Sequence, residues 1–467
     1  MKSILKKIIP KPIRNLMHLY IAYSSACKYK NPSEHMFVIG VTGTSGKSST
    51  VYFLRQILES AGYIVGSLTT IDFYIAGKSK MNDQKMTTLG RGMTQKYLRD
   101  MVDAGCDIAI IETSSEGYVQ NRHKYINFDT VILTNLYPEH IESHGSFEKY
   151  KEAKLGILKH VSKCKPKYRL AAYKKVAVCD MAQNTKEQCA KIPKTCVLNA
   201  NNEYLSEFLE IDFEEKLLFG RNDEQVYINK NERKKYDCTV CGENLSVNSD
   251  GLHFILDKSH YFAPLYGEHN IMNVLAGIAV VKSLGVEEDL IMNSVVGLNS
   301  PPGRIEFIKE AEKLDFKIIV DYAFEPVALA KLYEVVDLIK PKKIIHVCGS
   351  AGGGRDQSRR APIGNIVGNK ANIVIVTDED PYDEDPMEII KMVSQGAIEM
   401  GKVLGKDLFE ILDRKEAIKK AVDLAQEGDL VLVTGKGSEQ KICVAGGKML
   451  DWDDRGIVRE ALRGKKS

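Results

Sequence analysis

The chain has 467 residues, too many for one compact core, and its length predicts two to four domains. Lys+Arg 65 against Asp+Glu 62 leaves a formal charge of +3, so no global basic field points to a nucleic-acid partner. Hydrophobic content of 44% with 27% charged residues excludes disordered and fibrous classes. Ten cysteines at scattered spacings do not read as a disulfide framework, and the expectation is reduced thiols in a cytoplasmic protein. No apolar run reaches the roughly 18–20 residues needed to span a bilayer.

The first element in chain order is compositionally odd. From Met1 to Pro32 there is no acidic residue, whereas Lys2, Lys6, Lys7, Lys11, Arg14, Lys28 and Lys30 are basic. Leu16, Leu19, Tyr20, Ile21 and Tyr23 add an apolar stripe at helical spacing. Two readings compete: a helix docked on the body, which is preferred, and a basic amphipathic helix on an anionic membrane surface. Docking predicts that the stripe is buried.

Beyond residue 35, strands alternate with helices. Short apolar runs at Phe37–Val41, Ile108–Ile111, Val131–Leu133, Ile318–Val320, Ile344–Val347, Ile373–Val376 and Leu430–Val433 suit buried parallel strands. Val51–Ala61, Met93–Ala104, Ile271–Leu284 and Ala417–Ala425 carry helical periodicity between them. The expected fold is therefore α/β: a central P-loop ATPase domain with a mostly parallel sheet, followed by a C-terminal Rossmann-like α/β domain. The segment from Ile192 to Phe262 is expected to be an antiparallel excursion, with a turn at Asn248-Ser-Asp-Gly251. Pro301-Pro-Gly303 is the hinge candidate. The expected division is an N-terminal segment 1–34, a central ATP-binding domain 35–302, and a C-terminal domain 303–467.

The chemistry begins at Gly40-Val-Thr-Gly-Thr-Ser-Gly-Lys-Ser-Ser49, which follows a strand and opens a helix, as a phosphate-binding loop requires. Gly43 and Gly46 let backbone N–H groups approach a phosphate, with Thr44, Ser45 and Ser49 in the same loop. Lys47 can reach the β/γ-phosphates, and Ser48 is placed to ligate Mg²⁺. Val41 occupies the position of the first glycine of the standard Walker form. Glu112 ends the apolar strand that starts at Asp107, the position of a Walker-B-like carboxylate. His140 follows the next strand. Alone, each reads more simply as a strand terminus or a loop residue. Cys238-Thr-Val-Cys241 lacks a second C-x-x-C and reads as two ordinary thiols rather than a zinc site.

In order along the chain, the loop, Glu112-Thr-Ser-Ser115, Thr134-Asn-Leu136, Glu139-His140 and Tyr150-Lys-Glu-Ala-Lys154 resemble the blocks of Mur ligases, the ATP-dependent peptide synthetases of peptidoglycan assembly. Gly267-Glu-His-Asn270, Asn273, Pro302-Gly-Arg304, Asp321-Tyr-Ala323, Gly349 through Arg360, Asp380-Pro381 and Gly435-Lys-Gly437 with Glu439 continue the series. The resemblance covers roughly residues 36 to 460 and is strongest to the UDP-N-acetylmuramyl-tripeptide synthetases. It implies ATP and Mg²⁺, with Lys47 on phosphate and Ser48 with Glu112 on one Mg²⁺. It further implies His140 and a carbamoylated Lys154 on a second Mg²⁺. Asn273 would contact adenine, Arg304 the γ-phosphate and Asp321 the ribose. Thr87, Thr88, Ser115 and Arg122 match acceptor positions, while Arg355, Asp380, Gly435 and Glu439 match amino-acid positions.

The implied reaction activates a muramyl-peptide carboxylate as an acyl phosphate, which the amine of an incoming amino acid displaces. The implied partners are that acceptor and the amino acid, with no nucleic acid, in a monomer at the cytoplasmic side of the membrane. Peripheral contact through residues 1–30 is the sharper reading of the N-terminus, because lipid-linked muramyl peptides would be within reach there. Alternatives are a folylpolyglutamate-like or other poly-amino-acid ligase, and a non-catalytic ATP-binding homologue.

The sequence departs from the family at several blocks. Ser45 replaces an Asn; Glu116, Phe324 and Ser438 replace histidines; and the block holding the family's amino-acid-pairing Arg reads Glu379-Asp-Pro-Tyr382. Tyr382 cannot make a bidentate carboxylate pair, which argues against diaminopimelate as the added residue. Only about 35 residues precede the loop, where tripeptide synthetases carry a UDP-binding domain, so acceptor binding is expected not to use a conventional UDP pocket.

Overall fold

The computed structural model describes residues 11–84, 86–139, 144–170, 178–179, 188–222, 238–354 and 356–465. They fall into two compact units, 1–299 and 300–467. In the first, α1 (Lys11–Lys28) precedes β1 (Phe37–Thr42), the phosphate-loop segment and α2 (Lys47–Ser60). β2 (Val65–Leu68), β3 (Asp72–Ile75), β4 (Lys78–Met81), α3 (Arg91–Asp103), β5 (Ile108–Glu112), α4 (Ser115–Val119), β6 (Thr130–Leu133) and α5 (Phe147–Ser162) follow. Then come the hairpin β7 (Lys167–Leu170) and β8 (Cys189–Ile192), β9 (Thr195–Asn199), α6 (Leu205–Leu209) and β10 (Glu215–Arg221). β11 (Val240–Val247), β12 (Leu252–Leu256), β13 (Ser259–Ala263), α7 (His269–Ser283) and α8 (Glu288–Val296) close the unit.

The described strands form an eleven-stranded sheet in the order β13-β12-β11-β10-β9-β6-β1-β5-β2-β3-β4. Its seven middle strands, β11 through β2, pair in parallel, and the hairpins at each edge are antiparallel. Here the structure corrects an expectation. β9 and β10 are not part of an antiparallel excursion but extend the parallel sheet. Val197-Leu198 and Leu217-Leu218-Phe219 are buried on both faces, as strands under helices on each side must be. Only β11–β12–β13 turn back, through Asn248 and Gly251, whose backbones bond to each other.

Alternation along β1 divides the core. Phe37, Ile39 and Val41 pack with Val51, Leu54 and Ile57 of α2 and Val274 and Ile278 of α7, whereas Val38 packs with Leu98 of α3 and Ile157 of α5. The C-terminal end of β1 is thereby held in a dry core at the start of the loop. Below it, buried Asp129 accepts from Lys167 Nζ at 2.6 Å, Lys194 Nζ at 2.9 Å and the Val38 amide at 2.9 Å.

The second unit holds β14 (Glu306–Phe307), β15 (Lys317–Val320), α9 (Pro326–Ile339), β16 (Ile344–Cys348), α10 (Arg360–Lys370) and β17 (Ile373–Thr377). α11 (Pro386–Glu399), β18 (Leu408–Ile411), α12 (Arg414–Leu424), β19 (Leu430–Val433), the hairpin β20 (Lys441–Val444) and β21 (Lys448–Asp451), and α13 (Asp454–Gly464) complete it. Its six-stranded sheet runs β14-β15-β19-β16-β17-β18, parallel except at β14. This is a mixed α/β sheet flanked by helices.

The cysteines are not all free thiols: Cys179 is paired with Cys189 beside the β7–β8 hairpin, and Cys238 with Cys241 at the entry to β11. Sequence spacing hides the first pair because the fold, not proximity in sequence, brings the two residues together. Among the described residues no helix is long and apolar enough to cross a membrane.

Asp129 carries the clearest stability prediction. Asp129→Ala leaves two buried ammonium groups uncompensated, which costs about 3–5 kcal/mol. Urea unfolding should register that loss, and an unchanged midpoint would refute the role given to Asp129.

Candidate functional site

In the first unit the site is built where β1, β5 and β6 end side by side. The loop after β1 is strapped to the loop after β6. Asn135 Oδ1 accepts from the amides of Thr44 at 3.1 Å and Ser45 at 2.9 Å, and Thr134 Oγ1 donates to the Ser45 carbonyl at 2.7 Å. Gly43 is required for this contact, since a Cβ there would lie 1.9 Å from Thr134 Oγ1. At Gly46 (φ 76°) a Cβ would lie 2.4 Å from Asn273 Oδ1. Asn273 is itself buried, accepting from Thr50 Oγ1 at 3.1 Å and donating to Asn270 at 3.0 Å. It therefore supports the loop from below.

Lys47 opens α2, and its Nζ donates to the carbonyls of Gly43 at 3.1 Å and Thr44 at 2.9 Å. Ser48 Oγ donates to Glu112 Oε2 at 2.9 Å, and Ser49 follows in the same first turn. The same buried oxygen of Glu112 accepts from the Thr70 amide at 2.8 Å and the Thr70 hydroxyl at 3.1 Å. Ser48 and Glu112 thus present hard oxygen donors beside a run of loop amides, a donor set that fits Mg²⁺ next to a phosphate.

Lys154, on α5, is fully buried and reaches the same loop. Its Nζ donates to Thr42 Oγ1 at 3.1 Å and the Gly43 carbonyl at 2.8 Å. No carboxylate among the described residues pairs with it. Burial, and secondarily the charge of Lys47, push its pKa well below the ordinary lysine value. Tyr150, one turn earlier, donates to Thr44 Oγ1 at 3.0 Å, so two side chains of α5 hold the loop.

Beside Glu112 lies a polar floor. Thr87 Oγ1 lies 3.1 Å from Thr70 Oγ1, and Thr88 Oγ1 accepts from the Ser114 amide at 2.8 Å. Ser115 Oγ meets His144 Nε2 at 3.1 Å. Arg122 donates to the Thr88 carbonyl and to Gln120 Oε1 at 2.8 Å, while Arg91 donates to the Gln120 carbonyl. Neither guanidinium has a carboxylate within ion-pair distance among the described residues. Burial lowers the pKa of both; that of Arg91 falls to about 10, with the charge of Arg122 a secondary cause.

The second unit holds a separate cluster. Asp321 accepts from the amides of Ile305 and Ala323, each at 2.7 Å, and so pins the turn that carries Arg304. Arg304 stands over the Tyr322 ring, 4.2 Å from its centroid, and Tyr322 donates to Glu439 at 2.9 Å. Lys436 bonds Asp380 at 2.9 Å and Glu439 at 2.5 Å. Beside them Glu379 is buried, its Oε2 has no hydrogen-bond partner among the described residues, and a Cβ on Gly435 would lie 2.4 Å from it.

Each unit therefore gathers the candidates that fall in it. His140 and Arg355 lie outside the described residues. Sequence reading passed over Thr70, Arg91, Asn135, Tyr150 and Lys436 as site residues. Asn135, Tyr150 and Lys436 stand inside quoted blocks and were within reach. Thr70 and Arg91 carry no spacing that marks them.

Burial pushes the Glu379 carboxyl up to about 7, more strongly than Lys436 and Arg414 pull it down. A raised carboxyl pKa makes the fold bind a proton more tightly, so stability falls as pH rises from about 4.5 to about 7. Glu379→Gln should remove that loss. The variant is expected to gain on the order of 2–3 kcal/mol over the parent at pH 8 and little at pH 4.5, read from melting curves. A pH-independent difference would contradict the burial argument.

Residues 41–191 match the family profile described as the Mur ligase middle domain, and residues 303–437 that described as the Mur ligase, glutamate ligase domain. The UDP-N-acetylmuramyl-tripeptide synthetase of Roseiflexus sp. is 32% identical over 464 residues, covering 97% of this chain and 84% of the relative. The UDP-N-acetylmuramoyl-L-alanyl-D-glutamate–2,6-diaminopimelate ligase of Clostridium botulinum is 30% identical over 448 residues, covering 95% and 81%. Among solved structures, folylpolyglutamate synthase of Mycobacterium tuberculosis gives a TM-score of 0.63 at 15% identity, covering 96% of both chains. A solved diaminopimelate ligase of the muramyl-peptide series gives 0.60 at 24% identity, covering 92% of this chain and 79% of its own. At those identities the two structures speak for the fold alone. With relatives at 30% identity or more matched over most of their length, the chain belongs to the Mur ligase family.

Proposed function

We propose that this protein is an ATP-dependent acid–amino-acid ligase of peptidoglycan synthesis, joining an amino acid to the carboxylate of a muramyl peptide. The observation that carries the reading is the first-unit cluster: a phosphate loop over Ser48 and Glu112, with a buried Lys154 that makes no ion pair among the described residues. Loop amides and Lys47 would bind the ATP phosphates. One Mg²⁺ would be held by Ser48 and Glu112 and a second by His140 and carbamoylated Lys154, and they would neutralise charge on the transferring phosphoryl group. Arg304 would serve the γ-phosphate, Asn273 the adenine and Asp321 the ribose.

Lys154 suits carbamoylation on chemical grounds. A lysine whose pKa is well lowered is a neutral amine, able to attack CO₂, form an N–C bond and lose a proton. The product carries a negative charge where the free ammonium would be a buried, unpaired cation. Thr87, Thr88, Ser115 and Arg122, with Arg91 beside Arg122, would hold the acceptor and its anionic groups. One acceptor carboxylate oxygen attacks the γ-phosphorus and ADP leaves. The incoming amine then attacks the acyl carbon, expels phosphate and gives up a proton.

In the second unit, Arg355, Asp380, Gly435 and Glu439 would hold the incoming residue. Tyr382 stands where an arginine would pair with a distal carboxylate, and Glu379, three residues earlier in the same block, offers an oxygen without a hydrogen-bond partner among the described residues. Such a site favours a cationic side chain such as lysine, with a ring contact worth about 0.5–2 kcal/mol. The protein is taken to act as a monomer on the cytoplasmic side, peripheral to the membrane.

Two measurements test the reading. Lys154→Ala should abolish acceptor-dependent phosphate release, with partial recovery on adding a short carboxylic acid such as acetate; full activity in the variant would refute the role of Lys154. In the same assay, lysine should outperform diaminopimelate and neutral amino acids. Preference for diaminopimelate would overturn the assignment of the second-unit cluster.

A further inference from the structure

Helix α1 resolves neither of its two sequence readings in the simple form. It is docked, yet its apolar stripe is exposed. Ala22 and Ala26 are 1% and 0% exposed, and Ser25 Oγ comes within 3.3 Å of where a Cβ on Gly92 of α3 would lie. Small residues on that face let the two helices approach closely. Ile13, Leu16, Met17 and Tyr20, at the i, i+3, i+4, i+7 spacing of a single face, are 53%, 68%, 47% and 69% exposed. Ile21 and Tyr23 widen the face. Through an edge contact with Tyr23, 5.5 Å between ring centroids, the patch continues onto exposed Tyr125. Four large side chains in one stripe on a docked helix are a surface made for contact rather than scattered exposure.

Charge decides among possible occupants. Residues 1–33 hold seven basic side chains and no acidic one, in a chain whose total charge is only +3. A cationic segment bearing a wide apolar face is complementary to an anionic lipid surface, where the apolar side chains enter the headgroup boundary and the cations meet phosphate. A second copy of the chain would bring two such segments of like charge together.

We propose that α1 is a membrane-docking helix, fixed to the protein by its Ala22–Ala26 face and seated on an anionic bilayer by its Ile13–Leu16–Met17–Tyr20 face. The inference deepens the peripheral placement within the proposed function by naming its contact. It does not depend on the ligation chemistry, because vesicle binding can fail while phosphate release stands.

The test is flotation of the full chain with vesicles of phosphatidylcholine containing 30% phosphatidylglycerol, against phosphatidylcholine alone. A Leu16→Ser/Tyr20→Ser variant alters only exposed positions, and its melting temperature should match the parent. The parent should float with anionic vesicles at low salt, and binding should fall at least tenfold in the variant or on neutral vesicles. Absence of flotation, equal flotation on neutral vesicles, or equal flotation of the variant would overturn the proposal. So would a parent dimer that the variant dissociates while neither floats, since a second copy would then cover the stripe.

Discussion

The first unit is organised around a buried lysine that makes no ion pair among the described residues. Lys154 sits under the phosphate loop in a site dry enough to disfavour its charge, bonded only to a threonine hydroxyl and a loop carbonyl among the described residues. A buried ammonium of this kind is costly unless it is neutralised or converted. Elsewhere in the same unit the fold solves the problem differently: Lys167 and Lys194, equally buried, share Asp129. The contrast is what the proposed carbamoylation of Lys154 rests on.

The sheet makes that placement possible. Because β1, β5 and β6 are adjacent and parallel, their C-terminal ends deliver the loop, Glu112 and Thr134-Asn135 to one edge. α5 then crosses behind with Tyr150 and Lys154 one turn apart, and both meet the loop. Each contact uses a residue whose neighbours are locked by the core, so the loop is shaped before any ligand arrives. The second unit uses the same economy on a smaller sheet, with the strand ends carrying Asp321, Asp380 and Gly435 toward one cluster.

Much of this was legible in the sequence, because the ordered blocks fall at the ends of short buried strands. Gly43, Lys47 and Ser48 announce themselves by strand–loop–helix context, whereas Glu112 gains meaning only from its place in the ordered blocks. β9 and β10 did not, because their polar flanks and intervening charged stretches mask runs only three to five residues long. Asp129 could not be found either: its partners lie 38 and 65 residues away, and single charges carry no spacing. Arg91 is invisible for the same reason. The N-terminal helix was correctly found, but which of its faces would be buried depended on a close approach at Gly92 that no periodicity encodes.

The most direct test of the central claim is carbon-13 NMR of the protein equilibrated with ¹³C-labelled bicarbonate. The account predicts a protein-bound carbamate resonance in the parent that is absent from the spectrum of Lys154→Ala. Identical spectra for the two proteins would contradict it.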